Sequence, residues 1–223
     1  MRLVMLSDTH AHPLAKWLIP DGDVLIHSGD FCRGRTVPLE AVRHFNDDMS
    51  ALPHKHKLFV AGNHDLPLAL DAEAARAMLT AVTYLEDSGV TIDGVKFYGS
   101  PWQPEHRFWA FNLARRCPEL KAKWAAVPDD TDVLITHSPP FGILDVSRSA
   151  YEEVGCELLR RRLETFSPKL HVFGHVHEGR GQEEDNGTLF INASSVDLDY
   201  EPVHKPVVVD LDIATGKVTV VQI

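Results

Sequence analysis

Five short stretches concentrate the side chains able to hold a metal or move a proton. They are Asp8-Thr9-His10, Ser28-Gly29-Asp30, Gly62-Asn63-His64-Asp65, Thr136-His137-Ser138 and Gly174-His175-Val176-His177. Residues i and i+2 of an extended segment point to the same side, so Asp8 with His10, and His175 with His177, can each reach one ion. Asp30 follows a glycine that gives the backbone room, which suits a carboxylate shared by two cations. Asn63 offers a neutral amide oxygen, His64 a proton donor, and Asp65 a carboxylate able to orient it. Each stretch also has a plainer reading. Asp-x-His and Asn-His-Asp occur as turn chemistry, a lone histidine such as His137 is often structural, and a His-x-His can lie in a solvated loop. The set points to chemistry where its members do not. Two Asp, one Asn and four His (Asp8, Asp30, Asn63, His10, His137, His175 and His177) make a mixed oxygen and nitrogen donor inventory. That inventory favours Mn²⁺, Fe, Co²⁺ or Zn²⁺ over Mg²⁺.

The elements that must position these residues are legible beside them. Leu3–Leu6, Val24–His27, Leu58–Ala61, Val133–Ile135 and Leu170–Phe173 are short apolar runs, each followed at once by one of the five polar stretches. Such runs bounded by turn residues read as buried strands. In α/β sheets ligands gather at the carboxyl ends of strands, so five strands ending this way predict one shared site. Helices are predicted over 38–50 (Val42, Phe45 and Met49 at helical spacing, Thr36 and Pro38 as start signals), 71–80, 113–126 and 150–166 (Leu159, Leu163 and Phe166 on one face). Further strands are predicted at 84–85, 90–92, 95–98 and 189–192. A C-terminal hairpin is expected, with Val207–Val209 and Val218–Val221 flanking a turn at 214–217. The pattern implies a mixed sheet, or two packed sheets, with helices outside.

Composition sets the limits. The chain has 223 residues, 44% hydrophobic and 24% charged, which is the balance of a globular protein. Evenly spread glycine and proline and the absence of repeats predict a single domain over 1–223. No apolar run approaches the roughly 20 residues of a membrane span. A net charge of −10 repels a nucleic-acid backbone and argues against long nucleic acid as a partner. Three cysteines without metal spacing, Cys32, Cys117 and Cys156, fit a reducing compartment. The N-terminal apolar stretch is too short for a signal-peptide core, so the expected location is cytoplasmic. A monomer or a homodimer is compatible with all of this.

Taken together, Asp8-x-His10, Gly29-Asp30, Gly62-Asn63-His64-Asp65, His137 and Gly174-His175-x-His177 resemble the calcineurin-like metallophosphoesterases, from residue 3 to the C-terminus. Ile26–Phe31, Pro101-Trp102, His137–Pro140, Pro168–Gly174 and Ile191–Ser194 resemble the small single-domain branch of metallophosphoesterase-domain-containing proteins, which includes vertebrate brain members. That branch is similar to class III cyclic nucleotide phosphodiesterases. The resemblance implies an α/β (α+β) fold, a four-layer αββα sandwich, with a two-metal site. Asp8, His10, Asp30 and His177 would hold one ion, Asp30, Asn63, His137 and His175 the other, with Asp30 bridging. Some vertebrate members of the branch lack the first histidine of Gly-His-x-His. This chain has His175, so a competent dinuclear centre is expected, with manganese favoured for activity. Two ions about 3.5–4 Å apart can clamp a phosphoryl group and lower the pKa of a bridging water. The resulting hydroxide would attack phosphorus in line, with His64 assisting the leaving oxygen and Asp65 orienting His64.

The surroundings add weaker signals. His12, Arg33 and Arg180 are candidate substrate-binding residues, with solvated loop positions as the alternative. His27 and His171 sit inside apolar runs and read as buried, hydrogen-bonded histidines. The protein Ser/Thr phosphatases carry Gly-Asp-x-Val-Asp-Arg-Gly where this chain has Gly29-Asp30-Phe31-Cys32-Arg33-Gly34-Arg35, which argues against a protein phosphatase. The four aromatics of 101–112 could cover the core or form a lid on which a nucleobase stacks. The expected activity is hydrolysis of small phosphodiesters, nucleotide-type ones included. A phosphomonoesterase with the same dinuclear site is the alternative. A non-catalytic metal- or nucleotide-binding scaffold predicts lost ligands, and none of the seven is lost.

Overall fold

The computed structural model describes residues 1–35, 39–147 and 152–223. Apolar residues that alternate sides along a strand build two six-stranded sheets, each apolar on both faces. The first contains β1 (Arg2–Leu6), β2 (Val24–His27), β3 (His56–Phe59), β4 (Thr83–Tyr84), β15 (Val207–Leu211) and β16 (Val218–Gln222), in the order β16-β15-β1-β2-β3-β4. The second contains β5 (Ser88–Ile92), β6 (Val95–Ser100), β9 (Val133–Thr136), β12 (Leu170–Phe173), β13 (Gly181–Asp185) and β14 (Thr188–Asn192), in the order β13-β14-β12-β9-β6-β5. Two short pairs, β7 (Gln103–Pro104) with β8 (Asn112–Leu113) and β10 (Val146–Ser147) with β11 (Glu152–Glu153), lie outside them. Each large sheet joins four parallel strands to antiparallel ones: β1 to β4 in the first, β6, β9, β12 and β14 in the second.

The layering follows from side-chain alternation. Leu3 and Met5 of β1, with Val24, Ile26 and Leu58, face Val133, Ile135, Val172 and Ile191 of the second sheet and form the core between sheets. Val4, Leu6, Leu25 and Phe59 point the other way, onto α1 (Leu39–Ala51), α2 (Leu66–Leu70) and α3 (Ala72–Met78) through Val42, Phe45, Met49, Leu68 and Ala75. Tyr98, Leu134, Phe173 and Phe190 pack under α4 (Pro118–Ala125) and α5 (Glu157–Leu163). Three apolar interfaces therefore separate four layers, α-β-β-α.

Helix boundaries differ from the sequence reading in instructive ways. The first helix spans Leu39–Ala51, and the start signals Thr36 and Pro38 lie outside the described residues. The helix expected over 113–126 is confined to Pro118–Ala125, and that over 150–166 to Glu157–Leu163. Each begins at a cysteine whose sulfur accepts a first-turn N–H, Cys117 from Leu120 and Cys156 from Leu159. Residues 150 and 151 lie outside the described residues. Glu152 and Glu153 pair as β11, and Gly155 is drawn against Pro140 by its N–H bond to Asp145 (2.9 Å), which delays the helix. No helix among the described residues is long and apolar enough to cross a membrane.

Candidate metal centre

Strands β1, β2, β3, β9 and β12 run parallel within their sheets, and the five polar stretches emerge together from their carboxyl ends. The sheets join there, where Ser7 after β1 bridges to Ser194 after β14. Close approach is possible because three of the stretches carry a glycine at the crowded point. A Cβ on Gly29 would collide with His137 Nδ1, one on Gly62 with Asp30 Oδ1, and one on Gly174 with Asp8 Oδ2. The backbone is strained as well. Asp8, His10, Asp30 and His175 have φ of +56°, +42°, +59° and +69°, a region that costs a non-glycine residue about 1–3 kcal/mol. Asp8 N–H to Gly29 O (2.9 Å) and His10 N–H to Asp30 O (3.0 Å) hold two of these turns in place.

The seven donor residues converge in two overlapping sets. Asp8, His10 and His177 offer ligand atoms that all lie within 4.8 Å of one another, and so do Asp30, His137 and His175. His10 Nε2 is 4.0 Å from Asp8 Oδ1, 3.9 Å from Asp30 Oδ2 and 3.2 Å from His177 Nε2. His137 Nε2 is 3.3 Å from Asp30 Oδ2 and 3.0 Å from Asn63 Oδ1. Asp30 thus stands between the sets. His175 is held by its backbone N–H on the Asp8 carboxylate (3.1 Å to Oδ2).

The far nitrogens decide what the near ones can do. His10 Nδ1 lies 3.0 Å from Cys32 O, His137 Nδ1 2.9 Å from Ser28 O, and His177 Nδ1 2.9 Å from Asp197 O. A carbonyl only accepts, so each Nδ1 carries its hydrogen and each Nε2 turns a lone pair inward. Lone pairs then face lone pairs, His10 toward His177 and His137 toward Asn63 Oδ1. Such a set demands positive charge, and its electrostatics agree. Burial pushes the His137 imidazole down, yet the charge and hydrogen bond of Asp30, the charge of Asp8 and the Ser28 carbonyl together raise it to about 9. Burial opposes ionisation of Asp8 and Asp30 too, and the surrounding histidines still hold both carboxyls below their usual range. Burial holds His10 near 4 and His175 near 3, neutral and ready to ligate. Cations fit this site better than protons do, because one ion answers several lone pairs at once.

His64 borders both sets. Its N–H donates to Asp30 Oδ1 (2.7 Å), and its ring lies 4.1 Å from Trp109 and edge-on to His10 at 4.9 Å. Asp65 does not reach that ring. Its Oδ2 accepts from Asp30 N–H (2.9 Å) and Gly62 N–H (2.7 Å), and its Oδ1 from Cys32 N–H (2.9 Å). Asp65 therefore ties the Asp30 loop to the Asn63 loop, and packing on Trp109 sets the His64 ring. Asp30, Asn63, His64, His175 and His177 open into a cavity of about 710 Å³ walled also by Trp109 and Tyr200.

The three weaker sequence candidates separate. Arg33 sits beside the site, its guanidinium 4.8 Å over the Tyr200 ring. His12 does not line this cavity; its Nε2 bonds Tyr200 O (2.9 Å) and its Nδ1 lies 3.0 Å from Lys16 Nζ. Arg180 is committed to Ser194 O (3.0 Å) and Lys205 O (2.7 Å), a structural role. Tyr200 carries no signal of this site in the sequence. Its φ of +64° turns the ring edge-on against His10 (4.6 Å) and His177 (5.3 Å). Asn192 acts as a support: its Nδ2 donates to Val176 O (2.7 Å), between the two histidines of the last stretch. The aromatic segment is divided between the core and the cavity wall. Ala110 and Phe111 are buried in the core, whereas Trp109 reaches His64.

Comparison with known proteins agrees with this architecture. The calcineurin-like phosphoesterase pattern matches residues 1–179. Human metallophosphoesterase domain-containing protein 1 is 40% identical over 94% of this chain and 71% of its own length. UPF0046 protein K07C11.7 of Caenorhabditis elegans is 41% identical over 93% of this chain and 74% of its own. The crystal structure of TT1561 of Thermus thermophilus shares the fold, with a TM-score of 0.60 at 15% identity over 99% of this chain and 98% of that one. Fold and donor set together define a metal-dependent phosphoester hydrolase. The chain belongs to the calcineurin-like phosphoesterase family, whose members use divalent metal ions.

Proposed function

We propose that the chain is a dinuclear phosphodiesterase acting on small diesters, nucleotide-type ones included. The observation that carries this reading is the position of Asp30, whose carboxylate lies between the Asp8–His10–His177 set and the Asn63–His137–His175 set. Asp8, His10, Asp30 and His177 would hold one ion and Asp30, Asn63, His137 and His175 the other, with Mn²⁺ the favoured activator. When bound, the ions supply charge to a phosphoryl group and acidify water at neutral pH. The protein does the rest. The Nδ1–H bonds to Cys32, Ser28 and Asp197 carbonyls fix three imidazoles, so no reorganisation is needed as substrate binds. His64, beside Asp30 and open to the cavity, delivers a proton to the leaving oxygen. Trp109 sets its ring, in place of the orienting carboxylate expected of Asp65.

The test is a chelator-stripped protein reconstituted with Mn²⁺ and offered bis-p-nitrophenyl phosphate and p-nitrophenyl phosphate. Faster turnover of the diester is expected. Preference for the monoester would replace this reading with a phosphomonoesterase, and absence of metal-dependent turnover of either would leave a narrow-specificity enzyme or a binding scaffold.

A further inference from the structure

Most arginines of the described chain rest on carboxylates, for example Arg2 on Asp210, Arg76 on Glu86 and Arg160 on Asp185. Arg33, Arg35 and Arg107 do not: among the described residues none of the three has a carboxylate within ion-pair distance. All three are exposed, Arg107 in the cavity lining and Arg33 and Arg35 against rings that wall it. Arg33 and Arg35 flank Gly34 on one loop, and each stacks on a different wall of the cavity. Arg33 Cζ is 4.8 Å from the Tyr200 ring, and Arg35 Cζ is 5.6 Å from the Trp109 ring. Arg107 lines the cavity beside Trp109.

A stacked guanidinium uses its face for the ring and keeps its N–H edge for an oxyanion. Stacking also fixes the side chain in advance, so less freedom is lost when an anion arrives. One ring separates Arg33 and Arg35 from the innermost residues. Tyr200 stands between Arg33 and His10, and Trp109 between Arg35 and His64. They are therefore set back from the donor residues, and Arg35 stands on the side of His64, the residue proposed to serve the leaving oxygen. In a chain of net charge −10, three such cations around one cavity also draw anions locally.

We infer that Arg33, Arg35 and Arg107 form a second anion subsite, which selects phosphoesters whose alcohol portion carries a further phosphate or other dianionic group. The inference rests on the phosphoesterase reading above and narrows its substrate class.

Non-hydrolysable probes test it by binding alone. Alkylphosphonates from propyl to octyl are titrated calorimetrically into Mn²⁺-loaded protein, alongside the α,ω-alkanebisphosphonates of the same chain lengths. At one matching length the bisphosphonate is expected to bind about tenfold tighter than its monophosphonate, the gain expected of one charge-assisted contact. The ratio is expected to fall to near unity in the Arg33→Gln/Arg35→Gln protein and part-way in each single variant. No advantage at any length, or an advantage undiminished in the double variant, overturns the inference while leaving the phosphoesterase reading intact. Failure of both probe classes to bind in a metal-dependent way would overturn both.

Discussion

The interior of the sandwich and the cleft at its strand ends both use histidine, and they use it in opposite tautomers. In the interior, His27 Nδ1 accepts from Gly29 N–H (3.2 Å), so its hydrogen sits on Nε2 and points to Thr9 Oγ1 (3.0 Å). His171 matches it. Thr136 Oγ1 donates to Ser138 O (2.8 Å) and accepts from His171 Nε2 (2.9 Å). In the cleft, His10, His137 and His177 carry their hydrogen on Nδ1, toward carbonyls, and turn Nε2 inward. Burial alone does not separate the groups, since His27, His171 and His137 are all fully buried. The partner of the far nitrogen does. In this chain the histidines with a neutral hydroxyl on Nε2 are core residues, and those with a carbonyl on Nδ1 in the cleft are ligands in waiting.

The largest break in that contrast comes from the shared carboxylate. Asp30→Asn is expected to lower phosphoesterase turnover by about 10³-fold and to weaken binding of both ions. His171→Phe, a change in the interior group, should leave turnover within about threefold. Steady-state kinetics with metal analysis reads both.

A smaller effect separates support from chemistry. The Asp65 carboxylate accepts three buried backbone N–H groups, so Asp65→Asn should cost roughly 3 kcal/mol of stability. Chemical denaturation measures this. If Asp65 acted on the His64 ring instead, the loss would appear in the pH profile of kcat with stability unchanged.

The smallest effect sharpens the interior side. Burial holds His171 at a pKa of about 3, below the roughly 6.5 of an unfolded histidine. The unfolded chain therefore takes up the proton first as pH falls. The stability associated with a neutral His171 is complete above about pH 6.5 and is lost progressively toward pH 3, reaching about 2 kcal/mol by pH 5. Thermal unfolding at pH 7 and pH 5 should show a smaller drop for His171→Phe than for the parent by this amount. An equal drop would mean that His171 is not buried neutral.

The sequence displayed much of this because strand ends were marked twice, by apolar runs before them and by Gly, Asp, Asn and His after them. That pairing exposed the strands that carry the site and seven converging donors. It could not display contacts set by tertiary packing. Asp65 sits next to His64 in sequence, yet the turn sends its carboxylate back to the amides of Asp30, Cys32 and Gly62. Arg180 follows the last histidine pair closely, and its guanidinium is taken up by the carbonyls of Ser194 and Lys205. Tyr200 lies in a polar loop with no periodicity, and only its left-handed backbone brings it over His10. Helix starts failed for a similar reason. Cysteine is an uncommon cap, and Cys117 and Cys156 gave no conventional signal for one.

The left-handed conformations of Asp8, His10, Asp30 and His175 have a consequence for how this chain can change over time. A sequence selected only to fold would drift toward glycine or asparagine at these four places, relieving backbone strain and the crowding of like charges together. Laboratory evolution for heat resistance, run with no demand for turnover, should find such replacements early and erase the centre while keeping the sandwich. The four residues are thus a standing debt of the fold to its chemistry, and the sites where thermal robustness and activity part company first.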